Sequence, residues 1–262
     1  MNTIKYYPLL DTKKDVQRLQ DYIDHNPAFF TDDITKATAI LVAWGDGFML
    51  HMLKEYQHYD LPFVGVNFGR LGFLMNDITD YTALPHDMEE LDFVTEQLPH
   101  VTAIDAAGKE HTTHMVNDLA IGKGILDYLY CTVQTAEQTY NVQWTWLLIS
   151  TAIGSTAYWL SNGGPVIPLS SNVRGIMWIA TMPFHHQLVQ PSTITIDIES
   201  KSEAEIGVDG HSRIFTNIKR VIISPDTTSV RLWFLKTHNF DTKRLLIAEH
   251  KSMDIEPEIG TL

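Results

Sequence analysis

The chain opens with β-favouring residues from Thr3 to Leu10, after which Val16, Leu19, Tyr22 and Ile23 recur at helical spacing behind Asp11-Thr12, a pair suited to an N-cap. The spacing predicts a strand and then a helix. A short apolar run from Ala39 to Ala43 meets Gly45-Asp46-Gly47, and Phe48 to Tyr56 then has helical character. A second short run, Leu61 to Val66, again leads to glycines, Gly69 and Gly72. This alternation predicts a parallel sheet covered by helices.

Near Val101 the pattern changes. From there to about Leu235, runs rich in Val, Ile, Thr and aromatics predict strands: Tyr128 to Thr135, Ile194 to Ile198, Arg220 to Ser224 and Ser229 to Leu235. Asp209-Gly210, between Glu205-Val208 and Ile214-Phe215, is a hairpin signal, because glycine tolerates positive φ. Ser155 to Gly164 reads as one short helix ending at Gly163-Gly164-Pro165. The expected fold class is α/β plus β, with an α/β phosphate-loop domain over 1–100, a β-rich domain over 101–238 and a tail, 239–262, returning to the first.

Composition narrows what such a fold could bind. With 262 residues, 44% hydrophobic and 19% charged, the chain can bury a sizeable core as one large domain or two modest ones. Thirty-two acidic against nineteen basic residues leave a net charge of −13, a field that repels nucleic acid and anionic membranes, so a phosphate-bearing ligand must be held by local groups. The single cysteine, Cys131, excludes an intramolecular disulfide, a CxxC pair and a cysteine zinc cluster, and fits a reducing cytoplasm. The first eleven residues lack signal-peptide character and no run of about 18 apolar residues occurs, so neither a signal peptide nor a membrane span is expected.

Four motifs carry candidate chemistry. In Trp44-Gly45-Asp46-Gly47, glycines let backbone N–H groups approach phosphates while the carboxylate can take a hydroxyl or magnesium; an ordinary β-to-α turn is the bland alternative. Gly65 to Leu74 offers a tight glycine loop with an apolar floor at Leu71, Phe73 and Leu74, or simply a turn with core anchors. Asn117-Asp118 pairs an amide that can read an adenine edge with a carboxylate that can bind ribose hydroxyls; as an isolated dipeptide it is more often a solvated strand end. Ser150 to Tyr158, running on through Ser161 to Pro165, sets small hydroxyl residues around Gly154 and adds the aromatic face of Tyr158.

In this order and spacing the four motifs resemble the NAD kinase family, also called inorganic polyphosphate/ATP-NAD kinase. That family shows Gly-Gly-Asp-Gly-Thr, Gly-Arg-Leu-Gly-Phe-Leu, Asn-Glu, and Thr-Pro-Thr-Gly-Ser-Thr-Ala-Tyr leading to Gly-Gly-Pro. Here they read Trp44 to Phe48, Gly69 to Leu74, Asn117-Asp118, and Thr151 to Tyr158 with Gly163-Gly164-Pro165, and Val208-Asp209-Gly210 resembles a late Val-Asp-Gly turn. The resemblance implies a Rossmann-like N-terminal domain and a sandwich-like C-terminal one, as in NAD kinases and diacylglycerol kinases, with a dinucleotide cleft between them in a homodimer or homotetramer. It implies phosphorylation of NAD at the adenosine 2′-hydroxyl to give NADP, with ATP or polyphosphate as donor and Mg²⁺ or another divalent cation. Asp46 would be the catalytic proton acceptor, and Gly45 and Gly47 would shape the phosphate loop. Phe73 would lie in the apolar floor, while Asn117, Asp118, Thr156, Ala157, Tyr158, Ser161 and Ala180 would frame the dinucleotide.

The chain also departs from the family pattern. Trp44 replaces a glycine whose freedom to adopt positive φ would be lost, and Phe48 replaces a threonine hydroxyl. Trp144-Thr145-Trp146 replaces Gly-Asp-Gly and removes a carboxylate expected on the dinucleotide, Ala152 and Ile153 replace Pro and Thr, and Asp118 shortens a glutamate. One accommodation is that Trp44, Trp144 and Trp146 pack together or stack on a base. Two other readings stand beside the kinase: a non-catalytic dinucleotide-binding paralogue, and a kinase for another hydroxyl such as a lipid's. Outside these motifs, His111 and His114 are expected on opposite faces of a strand at the surface. His185-His186 are expected in a loop, Cys131 as an inert core thiol, and Lys13-Lys14 as solvated residues at a helix start.

Overall fold

The computed structural model describes residues 3–11, 17–78, 80–123, 127–169, 171–179, 185–199, 204–210, 213–236 and 239–253. The chain forms two compact units, one of Met1–Met49, Phe63–Phe93 and Trp233–Leu262, the other of Leu50–Pro62 and Val94–Leu232. The proposed N-cap residue Thr12 and the Lys13-Lys14 pair lie outside the described residues.

In the first unit, β1 (Tyr6–Leu10), β2 (Ala39–Trp44) and β3 (Phe63–Asn67) pair in parallel, with β2 in the middle. Five of the six residues of β2 are buried, as a continuous apolar run covered on both faces should be. Helix α1 (Gln17–His25) places Leu19 and Ile23, four residues apart, into a core with Ile4, Tyr6, Leu41 and Val64. Helix α2 (Asp46–Tyr56) starts one residue after β2. The sheet continues from β3 to β16 (Ser229–Leu235) and then β4 (Leu91–Gln97). The buried amide of Asn76 joins these strands, donating to the carbonyls of Gly65 (3.0 Å) and Trp233 (3.2 Å) and accepting from the Leu235 N–H (2.8 Å). In α4 (Phe240–Met253), Phe240 stacks on Phe234 at 4.7 Å, and Lys243 Nζ donates to the Met75 carbonyl at 2.8 Å.

In the second unit the described strands follow as β5 (His100–Asp105), β6 (Glu110–His114), β7 (Asp118–Gly122), β8 (Leu129–Gln134), β9 (Thr139–Trp144), β10 (Trp146–Ser150), β11 (Arg174–Ile179), β12 (His185–Val189), β13 (Ile194–Ile198), β14 (Ala204–Val208) and β15 (Arg213–Ser224), with the short helix α3 (Tyr158–Ser161) after β10. They form an eleven-stranded sheet with the path β12-β11-β10-β7-β14-β15-β13-β8-β9, and the assigned pairs are antiparallel. The long strand β15 is the branch point: its first half pairs β14, its second half pairs β13 and β5, and the register slips near Asn217, whose φ is 60°. The two ends of the path meet, because Tyr140 Oη of β9 donates to Gln187 Oε1 of β12 at 2.8 Å and its ring packs on Trp178 at 5.3 Å. The sheet thereby folds over one apolar core that includes Leu119, Ile121, Val133, Trp144, Ile196 and Val221.

Cys131 lies in this core, and burial pushes its thiol up to about 12, as an inert thiol requires. His111 and His114 sit on β6, each with its own acid: His111 on Asp105 (3.1 Å) and His114 on Asp226 (3.3 Å). His111 and the backbone amides of Lys109 and Ala107 hold the Asp105 carboxyl below its ordinary value. The loop expected at His185-His186 is instead the first part of strand β12, paired to Met177 and Trp178 of β11. Adjacent histidines carry no periodic signal, so only the pairing with β11 reveals the strand.

Candidate active site

Two concave features hold the sequence-derived residues, one in each unit. In the first unit, β2 ends at Trp44, Gly45 turns the chain, and Asp46 opens α2, where Phe48 and Met49 donate to the Gly45 carbonyl at 3.1 and 3.0 Å. The Asp46 carboxylate reaches across to the second glycine loop: Oδ2 accepts from the Phe73 N–H at 3.0 Å and Oδ1 from the Leu74 N–H at 2.8 Å. The two glycine loops lie close, since a Cβ on Gly69 would be 3.7 Å from the Gly45 Cα. Gly72 has a φ of +69°, and a side chain there would collide with the Asn67 amide. Between the loops lies a groove of about 310 Å³ lined by Trp44, Asp46, Gly47, Phe48 and Arg70, among others.

The replacement of a family glycine by Trp44 has a structural account. Trp44 is the last residue of β2, paired with Asn67 of β3, and is not among the residues with positive φ. The backbone freedom expected of glycine is therefore not needed at this position, and the indole enters as a half-buried wall of the groove. Gly47 faces open space, where an added Cβ would meet nothing within 4 Å. The Phe73 side chain is buried and contributes its N–H to Asp46.

In the second unit a cavity of about 540 Å³ is lined by Asn117, Asp118, Trp146, Ala157, Tyr158 and Glu205, with smaller residues between them. Asn117 and Asp118 are buried, at 8% and 5% exposure, at the start of β7. Burial, and next the neighbouring Asp209 carboxylate, push Asp118 up to about 6, partly offset by the Gly210 N–H. Asn117 Nδ2 donates to Asp118 Oδ2 at 3.3 Å, while Asn117 Oδ1 is buried without a hydrogen-bond partner, a free acceptor of the kind a ligand satisfies.

The serine-threonine segment supports this pair from behind. Thr151 Oγ1 donates to the carbonyls of Val116 (2.7 Å) and Asn117 (3.1 Å) and accepts from the Gly154 N–H at 3.0 Å. A Cβ on Gly154 would lie 1.9 Å from the Asn117 carbonyl oxygen, so only glycine fits. The single helix expected over Ser155 to Gly164 is two pieces, a 3₁₀ turn at Ile153–Thr156 and α3, broken at Ala157. Ala157, with φ −103° and ψ −123°, leaves the helical region, and the Ser155 hydroxyl ties down the 3₁₀ turn, donating to the Ala152 carbonyl at 2.8 Å and accepting from the Ile167 N–H at 2.9 Å. Ala157 and the half-exposed Tyr158 line the cavity, Thr156 is buried beside them, and Ser161 bonds back to the Ala157 carbonyl at 3.2 Å. Ala180 lies outside the described residues.

Trp144 and Trp146 take separate places. Trp144 is fully buried in the β core, whereas Trp146 lies against Gly122, where a Cβ would be 2.4 Å from its ring, and lines the cavity. Three residues to which the sequence motifs gave no role complete the site. Glu205 adds a second carboxylate to the cavity wall. Asp209, visible in sequence only as a turn residue, accepts from the Val116 and Asn117 N–H groups at 3.0 and 2.7 Å. Its other oxygen receives Lys54 Nζ of α2 at 2.8 Å.

Comparison with known proteins fits this geometry. Residues 104–225 match the family described as ATP-NAD kinase C-terminal domain. The NAD kinase of Rickettsia akari is 32% identical over 222 residues, covering 80% of this chain and 85% of the relative. An NAD kinase from Archaeoglobus fulgidus, crystallised with ATP, superposes with a TM-score of 0.70 at 16% identity, covering 94% of this chain and 99% of that one. A yeast NADH kinase crystallised with NADH gives 0.71 at 15% identity, covering 100% and 91%. The shared fold is an α/β unit with a parallel-containing sheet followed by a large antiparallel β unit.

Proposed function

The chain belongs to the NAD kinase family, and from that premise we propose that it transfers a phosphoryl group from ATP to the adenosine 2′-hydroxyl of NAD, giving NADP. The observation that carries the reading is the Asp46 carboxylate, set at a glycine groove and held by two backbone N–H groups. Each of its oxygens keeps a further lone pair to accept the hydroxyl proton. Phosphoryl transfer through a loose transition state depends mainly on position and charge, so a carboxylate of ordinary basicity suffices.

Gly45 and Gly47 give phosphates close access to the backbone at the start of α2, and Arg70 is the cation on the groove wall. Trp44 and Phe48 narrow the groove yet leave about 310 Å³, within the range of ligand pockets. In the β unit, Asn117 and Asp118 take adenosine and ribose atoms, and Trp146 and Tyr158 offer aromatic faces to a base. Thr156, Ala157, Ser161 and Ala180 belong to the surrounding frame, and Phe73 belongs to the loop that fixes Asp46.

The donor set of the groove also bears on a divalent cation. Asp46 is its lining carboxylate, and among the described residues no three His, Cys, Asp or Glu are placed to hold a metal. A single carboxylate fits a magnesium ion brought in on the donor's phosphates, which Asp46 would help to hold. A magnesium ion held there would supply charge neutralisation on the transferring group. A homodimer or homotetramer in a reducing cytoplasm completes the proposal.

The test is turnover of NAD with ATP and magnesium, with polyphosphate as a second donor. Asp46→Ala should lower kcat by about 10² to 10⁴-fold while NAD still binds. Binding of NAD without turnover on any donor would leave the non-catalytic reading in its place.

A further inference from the structure

The Asn117-Asp118 turn is held by groups that take no part in lining the cavity. Asp209 adopts a φ of 53°, and its carboxylate is shared three ways, between the N–H groups of Val116 and Asn117 and the ammonium of Lys54. Its own N–H donates to the Asp118 carbonyl at 2.8 Å. The pair is sheltered, with side chains 19% and 10% exposed for Lys54 and Asp209. These bonds span 92 and 155 residues of sequence, so they are tertiary in origin. A turn that needed only a backbone bend would be met by glycine; an aspartate that receives two amides and a lysine is a built clamp.

We propose that Asp209 and Lys54 are positioning residues for dinucleotide recognition: Asp209 fixes the backbone of the Asn117-Asp118 turn, and the charge of the pair governs how strongly Asp118 accepts ribose hydroxyls. The proposal rests on the reading that Asp118 meets the ribose. Among the described residues, the titratable and charged groups that line the cavity beside Asp118 or clamp its backbone are Asp209 on the hairpin, Lys54 on α2, Glu205 on β14 and Tyr158 on α3. Asp209 opposes ionisation of Asp118, and Lys54 offsets Asp209. Removing either member should therefore act in opposite directions, which a purely structural role would not do.

The experiment follows Asp118 directly, by carbon-13 NMR of the aspartate carboxyls in the ligand-free full chain, alongside the Kd for NAD between pH 5 and 8. Asp209→Asn keeps a carbonyl oxygen for the two amides but loses the charge, and its Asp118 midpoint should fall by about one pH unit. Lys54→Met keeps the amide clamp but exposes Asp118 to an unpaired Asp209, and its midpoint should rise. Lys54→Arg should restore the original value. In each variant the midpoint of the NAD Kd against pH should move with the NMR midpoint. Midpoints that stay put, or that move the same way in D209N and K54M, would overturn the proposal; if D209N fails to fold, the direction in K54M decides alone. Opposite NMR shifts with a pH-independent NAD Kd would uphold the electrostatic role of the pair and remove Asp118 from ribose recognition.

Discussion

Asp118 is a buried carboxyl whose ionisation costs the fold stability. Its midpoint is raised to about 6 by burial and by Asp209, so between about pH 4 and 6 the folded chain keeps a proton that the unfolded chain has lost. The associated stability is present below about pH 4 and disappears as the pH rises through 6, a difference of order 3 kcal/mol for a midpoint displaced from about 4 to about 6. Asp118→Asn should therefore raise the melting temperature at pH 7 to 8 and flatten its dependence between pH 4 and 6, while weakening NAD binding; calorimetric melts and an NAD titration measure both. Gly154 makes the opposite case, where the fold permits no side chain at all. Gly154→Ala would drive a methyl group onto the Asn117 carbonyl at 1.9 Å, and overpacking against backbone should cost about 3 kcal/mol or more. A chain of this size should then melt lower by about 6 °C or more.

Among the elements, the segment from Ala152 to Ile167 depends on one aromatic anchor. Trp159 is fully buried; its Nε1 donates to the Pro165 carbonyl at 2.7 Å, and a Cβ on Gly164 or Gly175 would lie 2.2 or 2.5 Å from its ring. Within the Gly-Gly-Pro motif, Gly164 thus makes room for the indole, while Gly163, with a φ of +84°, ends the helix. Trp159→Ala should cost about 3 to 5 kcal/mol by cavity formation. It should weaken NAD more than ATP, because Ala157 and Tyr158 of the same segment line the β-unit cavity. Separate calorimetric titrations of the two ligands check this, and an equal loss for both would remove the segment from dinucleotide binding.

Across the whole molecule, a net charge of −13 meets two anionic substrates. The long-range field slows their approach, and a Debye length of about 8 Å at 0.15 M screens it. Hence kcat/KM for NAD at fixed magnesium should rise with ionic strength from 0.01 to about 0.15 M; a fall would mean that local groups such as Arg70 dominate the approach.

Some of this architecture was already determined in the linear chain. The buried run Ala39 to Ala43 ending on Gly45-Asp46 specifies a strand, a bend and a helix start, because apolar periodicity and glycine punctuation are local properties. Asn117, Asp118 and Gly154 were likewise marked by motif order. Tertiary structure alone decided that Trp144 fills the core while Trp146, two residues on, lines the cavity. It also turned His185-His186 into a strand and divided the serine-threonine helix at Ala157. The Lys54–Asp209 clamp belongs to the same class. The clamp depends on partners far along the chain, and a partner 92 or 155 residues away leaves no periodic trace near the residue it holds.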